Sequence, residues 1–254
     1  VKYFILLPRA SDVGSDLASL QCKGVREGDV YVVNGQKIWT SIAMWSKWMI
    51  LLVRTDANSE SKHDGITCLL VEMSTPGIEV RPIQNMSGTA MFAEVFFNDV
   101  RVPVENRLGA EGQGWQVTVS ALASERSSIA EVTAMFRKLE ELTELARKTT
   151  RNGVPAAKDA RVRRQLAVFE AKIEAMRLNG LRYLTKQLRG EPLSSETSVN
   201  KLHRADLEVE MGDFALELLG SANQYLRGAD EAVDGGRWAT GALNWPEVVI
   251  GGGT

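Results

Sequence analysis

Up to about residue 110, apolar and polar positions alternate in short runs bounded by turn residues, which is the period of half-buried strands. Residues 30–33 lead into Asn34-Gly35, a pair suited to a tight hairpin because both central residues of that turn need positive φ. Residues 36–39 are therefore expected to return as the partner strand. Further strands are expected at 49–53, 66–71, 78–80, 92–97 and 100–102, with polar segments at 58–64 and Thr75-Pro76-Gly77 between them. Strands at this spacing predict a small antiparallel sandwich or barrel.

From about residue 112 the period lengthens to that of a helix. Trp115, Val119, Leu122, Ile129, Val132, Phe136, Leu139, Leu142 and Leu145 recur at three- and four-residue steps, a single apolar stripe that Asn152-Gly153 and Pro155 interrupt. A second helix is expected over 159–190, with Leu166, Phe169, Ile173, Met176, Leu181 and Leu184 facing inward, and Glu191-Pro192 ends it. A third is expected over 195–219 (Val199, Leu202, Leu207, Val209, Phe214, Leu218), followed by a short helical stretch around 229–238. The fold class is thus α+β, with a β domain over 1–111 and an antiparallel helical bundle over 112–254. The first dozen residues carry no recognisable element. Three helices make a thin bundle for stripes this long, and the last seven residues are apolar and glycine-rich. A truncated form of a longer protein is expected.

Composition narrows the chemistry. Thirty Lys+Arg against 32 Asp+Glu leave a formal charge of −2 over 254 residues, so nothing favours non-specific attraction to nucleic acid. No apolar run approaches the roughly 20 residues of a membrane-spanning helix, and the opening residues lack a secretory signal. A cytoplasmic protein is expected. Cys22, Cys68, His63 and His203 are too few and too scattered for a disulfide framework or a metal centre. The cluster Arg161-Val162-Arg163-Arg164 has no interleaved aromatics and reads as facing solvent or a subunit partner. The acidic run over 140–144 reads as a solvated helix face, and Met44, Trp45, Trp48 and Met49 as core or interface residues.

Gly35-Gln36-Lys37-Ile38-Trp39-Thr40-Ser41, the stretch from Glu94 to Pro103, Asn106-Arg107-Leu108-Gly109 and Gly112-Gln113-Gly114-Trp115 occur together in this order. Taken together they resemble the acyl-CoA dehydrogenase family, FAD enzymes that desaturate acyl-CoA thioesters between Cα and Cβ. The resemblance runs from about Gly14 to Thr254 and implies a middle β domain followed by a C-terminal helical domain; the family's N-terminal helical domain has no counterpart.

The reaction needs a carboxylate to take a weakly acidic α-proton, an acceptor for the β-hydride, and hydrogen bonds to the thioester oxygen where enolate charge develops. Read alone, Trp39 is a strand aromatic; the resemblance places Trp39, Thr40 and Ser41 against the isoalloxazine ring of FAD. Gly14-Ser15-Asp16 resembles the end of the family's loop over flavin and pyrophosphate, giving Ser15 to cofactor and substrate. The preceding residues, Arg9 to Val13, depart from the family's Thr/Ser-Glu-Pro-Gly-Ala-Gly pattern. Many members carry the catalytic glutamate where this chain has Gly252, which cannot take a proton. Others, acting on branched or bulky acyl groups, carry it on the first long helix before an arginine, where this chain has Glu125-Arg126. The resemblance therefore implies Glu125 as base and Arg126 near the nucleotide end of CoA. It also implies that Arg147 and Thr149 reach the FAD of a neighbouring subunit, and that Glu217 and Gly220, with Thr254, lie on its adenine portion. Here Glu217 stands in place of an amide and Ser221 in place of a second glycine.

Expected partners are an acyl-CoA substrate, an electron-transfer flavoprotein and further subunits in a homo- or hetero-oligomer, dimer or tetramer. Three other readings stay open. One is a cofactor-poor, non-catalytic subunit or inactive fragment of a heteromeric enzyme, another an oxidase-like protein passing electrons to oxygen. The third is a truncated product unable to fold stably alone.

Overall fold

The computed structural model describes residues 3–5, 9–10, 16–126, 130–151, 153–191 and 197–250, though not the side chains of 3–5, 9–10, 122–126, 130, 197, 246 and 248. The chain forms two units, 1–121 and 122–254. The first is built on one sheet of nine strands: β1 (Tyr3–Ile5), β2 (Arg9–Ala10), β3 (Lys23–Glu27), β4 (Val30–Ser41), β5 (Ser46–Arg54), β6 (Ile66–Glu72), β7 (Ile78–Ile83), β8 (Phe92–Pro103) and β9 (Arg107–Leu108). Seven of them run in the order β7-β8-β4-β3-β5-β6-β9, while β1 adds to β5 and β2 to β4. Pairing is antiparallel except where β5 meets β1 and β3. Two short strands thus occupy an N-terminal stretch whose sequence predicts no element.

The continuous apolar runs of β5 and β6 follow from burial on both faces. Met49, Leu51, Val53, Leu69 and Val71 point into the main core with Tyr31, Val33, Val95, Phe97 and Val100. The alternate residues Leu52, Ile66 and Cys68 point to the opposite face, where Ala18 and Leu20 cover them.

Asn34-Gly35 departs from the expected hairpin. The two-residue turn is Gly28-Asp29, between β3 and β4, and Asn34-Gly35 lies inside the unbroken β4. Its partner β8 carries one extra residue at that point, since Val33 pairs with Val100 and Gly35 with Phe97. Asn34 donates through Nδ2 to Asp99 Oδ1 and accepts at Oδ1 from the Asp99 amide, each at 2.9 Å. Asp99 takes a left-handed φ of 50°. A Cβ on Gly35 would come within 2.9 Å of the Cys22 backbone, so glycine is needed for close approach rather than for a turn.

Helix α1 (Gly114–Arg126) begins flush against β6: a Cβ on Gly114 would lie 2.8 Å from both the Cys68 nitrogen and the Thr67 carbonyl carbon. The Gly112 amide donates to Thr67 Oγ1 at 3.0 Å. Trp115 and Val117 pack on the second face of the sheet, so the start of this helix belongs with the β unit.

The second unit contains α2 (Ala130–Lys148), a small hairpin of β10 (Thr150–Arg151) and β11 (Val154–Pro155), then α3 (Ala160–Leu188), α4 (Thr197–Leu219), α5 (Arg237–Ala242) and α6 (Trp245–Ile250). Asp159 caps α3 by accepting the Arg161 amide at 2.7 Å. Val132, Met135, Leu139, Leu142, Phe169, Ile173, Met176, Leu207, Met211 and Leu218 form its core. The expected inner face of α3 needs correction at its C-terminal half, where Leu181 and Leu184 are exposed and Gly180 and Tyr183 turn inward. On α4, Val199 and Leu202 are likewise exposed, and Ala205, Met211 and Ala215 take the buried positions. Val119 of the first stripe is exposed, and Leu122 and Ile129 lie outside the described side chains. The short stretch expected at 229–238 becomes a 3₁₀ turn at Val233–Gly236 followed by α5.

Candidate functional site

In a regular strand Lys37 and Trp39 would share a face. Lys37 pairs with Val95 and Thr40 with Ala93, so β4 spends three steps where β8 spends two. This bulge turns Trp39 outward, 51% exposed, and Thr40 into the core. Trp39 adopts φ 57° and Ile42 φ 54°, left-handed values that cost a bulky or β-branched residue about 1–2 kcal/mol each. The Thr40 hydroxyl is buried and has no hydrogen-bond partner among the described residues, so what Thr40 offers at the surface is its main chain. Ser41 is exposed.

The arrangement is held from β8: the Ile42 amide donates to Met91 O at 2.7 Å, and Phe92 packs edge-on to Trp39 with centroids 6.0 Å apart. Left-handed backbone around an exposed indole makes this surface the candidate site of the first unit. The segment after it lines an open groove of about 570 Å³ formed by Ala43, Met44, Ser46, Lys47, Glu72 and Met73, with Ser74 and Val80.

Ser15 and Gly14 lie outside the described residues, but the residue that follows them is anchored. Lys62 Nζ lies 2.9 Å from both oxygens of Asp16, and Ser19 Oγ donates to it at 2.7 Å. These two donors hold the Asp16 carboxyl below the usual range, Lys62 the more strongly. Arg54 donates to the carbonyls of Lys62, Asp64 and Ala18, tying the same segment to the 58–64 loop. Burial pulls the Arg54 pKa down.

In the second unit, Arg147 and Lys148 end α2, where cations complement the helix dipole. Arg147 pairs with Glu144 one turn back, and Lys148 with Asp234 at 3.6 Å. The Thr149 amide donates to Leu145 O at 2.9 Å, and its carbonyl accepts from the Ala156 amide at 2.8 Å, which closes the β10–β11 hairpin. That hairpin sends Arg151 to the end of α4, where Nη2 donates to Glu217 O at 2.9 Å and to its Oε1 at 3.4 Å. Gly220, at φ 55°, follows one residue beyond α4. Arg151 thus ties the hairpin that follows α2 to the end of α4, where Glu217 and Gly220 lie. Sequence reasoning missed Arg151, because a partner 66 residues away leaves no local signal.

Glu125 and Arg126 fall in the last turn of α1, their side chains outside the described residues, as is Thr254. Among the described residues no group of three or more His, Cys, Asp or Glu could hold a metal ion, and no helix is long and apolar enough to cross a membrane. Each unit, taken by itself, carries groups of a kind that a flavin dinucleotide binds. In the first unit an exposed indole, with an exposed serine two residues on, suits a planar heteroaromatic ring with a polar edge; in the second, Arg147 and Thr149 are residue types that suit a diphosphate.

Residues 10–100 match the acyl-CoA dehydrogenase middle domain, and 112–233 its C-terminal domain. The acyl-CoA dehydrogenase IpdE1 of Mycobacterium tuberculosis is 37% identical over 209 residues, 82% of this chain and 52% of that protein. FadE26 of the same organism is 33% identical over 247 residues, 95% of this chain and 62% of that protein. The ChsE4-ChsE5 complex of M. tuberculosis superposes with a TM-score of 0.84 at 31% identity, over 100% of this chain and 65% of that chain. For the Tcur3481-Tcur3483 steroid ACAD the TM-score is 0.85 at 29% identity, over 99% of this chain and 64% of that chain. This chain therefore spans only about half to two thirds of the relatives it matches. Across both of its units, the chain belongs to the acyl-CoA dehydrogenase family.

Proposed function

We propose that this chain works in the FAD-dependent desaturation of an acyl-CoA thioester. The observation that carries the reading is the outward-turned, strained Trp39 beside the exposed Ser41, a surface built for a planar polar ring. In this reading Trp39 stacks on the isoalloxazine, Ser41 hydrogen-bonds its polar edge, and Thr40 contributes main-chain contact. Ser15 serves flavin and substrate from the loop that Asp16 anchors. Arg147 and Thr149 bind a diphosphate; Glu217, Gly220 and Thr254 border the adenine portion.

Glu125 takes the α-proton, and Gly252 leaves no competing carboxylate at the family's other base position. The electron pair of the broken Cα–H bond becomes the second bond between Cα and Cβ as hydride leaves Cβ. Bound FAD supplies the acceptor for that hydride. Hydrogen bonds to the thioester oxygen stabilise the enolate charge that develops during proton removal. Arg126 lies toward the nucleotide of CoA. A base on the first long helix favours branched or bulky acyl groups. Reoxidation by an electron-transfer flavoprotein, a dimeric or tetrameric assembly, a place in β-oxidation and a cytoplasmic location belong to the same proposal.

The test is the 350–500 nm absorbance of the purified chain with and without added FAD. Flavin bands that persist through gel filtration support the reading, and acyl-CoA should then bleach them. Glu125→Gln should keep the bands and lose the bleaching; full desaturation by that variant refutes the base assignment. A second reading, a cofactor-poor subunit of a heteromeric enzyme, draws support from Glu217, a carboxylate where the family has an amide. A chain that stays colourless after FAD addition favours that second reading.

A further inference from the structure

We propose that Arg151 is a positioning residue for the nucleotide end of the cofactor site. The proposal rests on the flavin reading above and goes beyond it, since Arg151 belongs to none of the contacts assigned there. Three features of the second unit carry it.

The first is the route of the chain. Thr149 ends the α2 turn, and two residues later β10 delivers Arg151; the hairpin closes through Gly153 at φ 77°. The second is what Arg151 holds. One guanidinium nitrogen donates both to the Glu217 carbonyl, in the last turn of α4, and to the Glu217 carboxylate. A cation on a terminal carbonyl satisfies a group that helix geometry leaves unpaired and complements the negative end of the dipole. The same contact fixes where the chain leaves α4 toward Gly220 and the 3₁₀ turn Gly220–Gln224.

The third is charge. A carboxylate at position 217 sits at the bundle end that carries Arg147 and Thr149, so without a counterion it would repel a diphosphate bound there. Arg147 does not supply that counterion, because it is paired with Glu144. Arg151 does. Both side chains are partly exposed, 37% for Arg151 and 56% for Glu217, so the pair adds little to fold stability. Its consequence falls on what binds next to it.

The experiment measures FAD affinity of wild type, Arg151→Ala, Arg151→Lys, Glu217→Gln and the Arg151→Ala/Glu217→Gln double variant. Each is titrated by flavin fluorescence at low and high salt, with circular dichroism as a check on folding. Arg151→Ala should weaken FAD binding about fivefold at low ionic strength, the size expected for an uncompensated, partly exposed carboxylate near a diphosphate. The loss should shrink as salt screens it. Glu217→Gln in the Arg151→Ala background should restore most of the affinity, because it removes the charge that Arg151 offsets. Arg151→Lys should recover only part, since a point ammonium does not reproduce the guanidinium's spread of donors. A purely structural role predicts the opposite pattern, a salt-independent loss that Glu217→Gln does not rescue, and that pattern overturns the proposal. So does an Arg151→Ala affinity within error of wild type. A wild-type chain that holds no FAD refutes the flavin reading and this proposal with it, and is distinguished before any variant is compared.

Discussion

Gly212 lies inside α4, and its position is decided by Trp245 of α6. A Cβ built on Gly212 would lie 2.1 Å from both Cη2 and Cζ2 of the indole, far inside van der Waals contact. Trp245 is 7% exposed, and Lys138 Nζ sits 5.6 Å from its ring centroid. Gly212→Ala therefore sets two effects against each other. Helix propensity favours alanine by about 1 kcal/mol. Overpacking a filled core costs about 1–3 kcal/mol, and expelling a tryptophan that buries roughly 200 Å² would cost about 5 kcal/mol. The clash wins: Gly212→Ala should destabilise the second unit by about 2 kcal/mol and lower its melting temperature by roughly 5 °C.

Urea denaturation followed by far-ultraviolet circular dichroism reads this as a lower midpoint at unchanged slope. The decisive comparison is a double-mutant cycle. Trp245→Ala alone should cost about 3–5 kcal/mol, but in that background Gly212→Ala should stabilise by about 1 kcal/mol, since only the propensity gain is left. A stabilising Gly212→Ala in the wild-type background, or no change of sign in the cycle, refutes the packing of α6 on α4. The seating of α6 bears on the proposed function, because Thr254, proposed to border the cofactor, follows α6 in the sequence.

Trp39→Gly should raise stability by about 1 kcal/mol, because glycine takes the left-handed conformation without strain, while flavin retention falls; a loss of stability would show that the Phe92 contact outweighs the strain. Asp16 has a folded-state pKa below its unfolded value, so its interaction stabilises the fold above the ordinary Asp pKa of about 3.9 and is lost as pH falls through the depressed folded value. Lys62→Met should flatten the acid limb of a stability-versus-pH curve below about pH 4, and an unchanged limb counts against the pair. Burial pushes the Cys68 thiol up to about 11, so iodoacetamide at pH 8 should label Cys68 only after unfolding; mass spectrometry of the native digest checks this.

Periodicity alone placed the elements whose cause is local. The second helix was expected over 159–190 and runs from Ala160 to Leu188, because Asp159 caps one end and the 3.6-residue stripe persists to the other. The runs that became β5 and β6 were legible as strands for the same reason, although only the fold shows that both faces are covered. What failed had distant causes. Asn34-Gly35 has the composition of a turn, yet Asp99 and Cys22 decide that it stays extended. Leu181 and Leu184 continue a helical stripe, but the contacts available to α3 put Gly180 and Tyr183 inward instead.

The candidate site divides along the same line. The resemblance of whole segments to one family singled out Trp39, Ser41, Arg147 and Thr149 as candidates. Their geometry did not follow from the sequence. An indole at position 39 would face the core if β4 were regular, and only a bulge against β8 turns it to solvent. The juxtaposition of Glu217 with the end of α2 depends on Arg151, across 66 residues. Side-chain chemistry and local period are properties of the chain itself. Which strand slips by a residue, and which distant charge meets which, are settled by packing the whole.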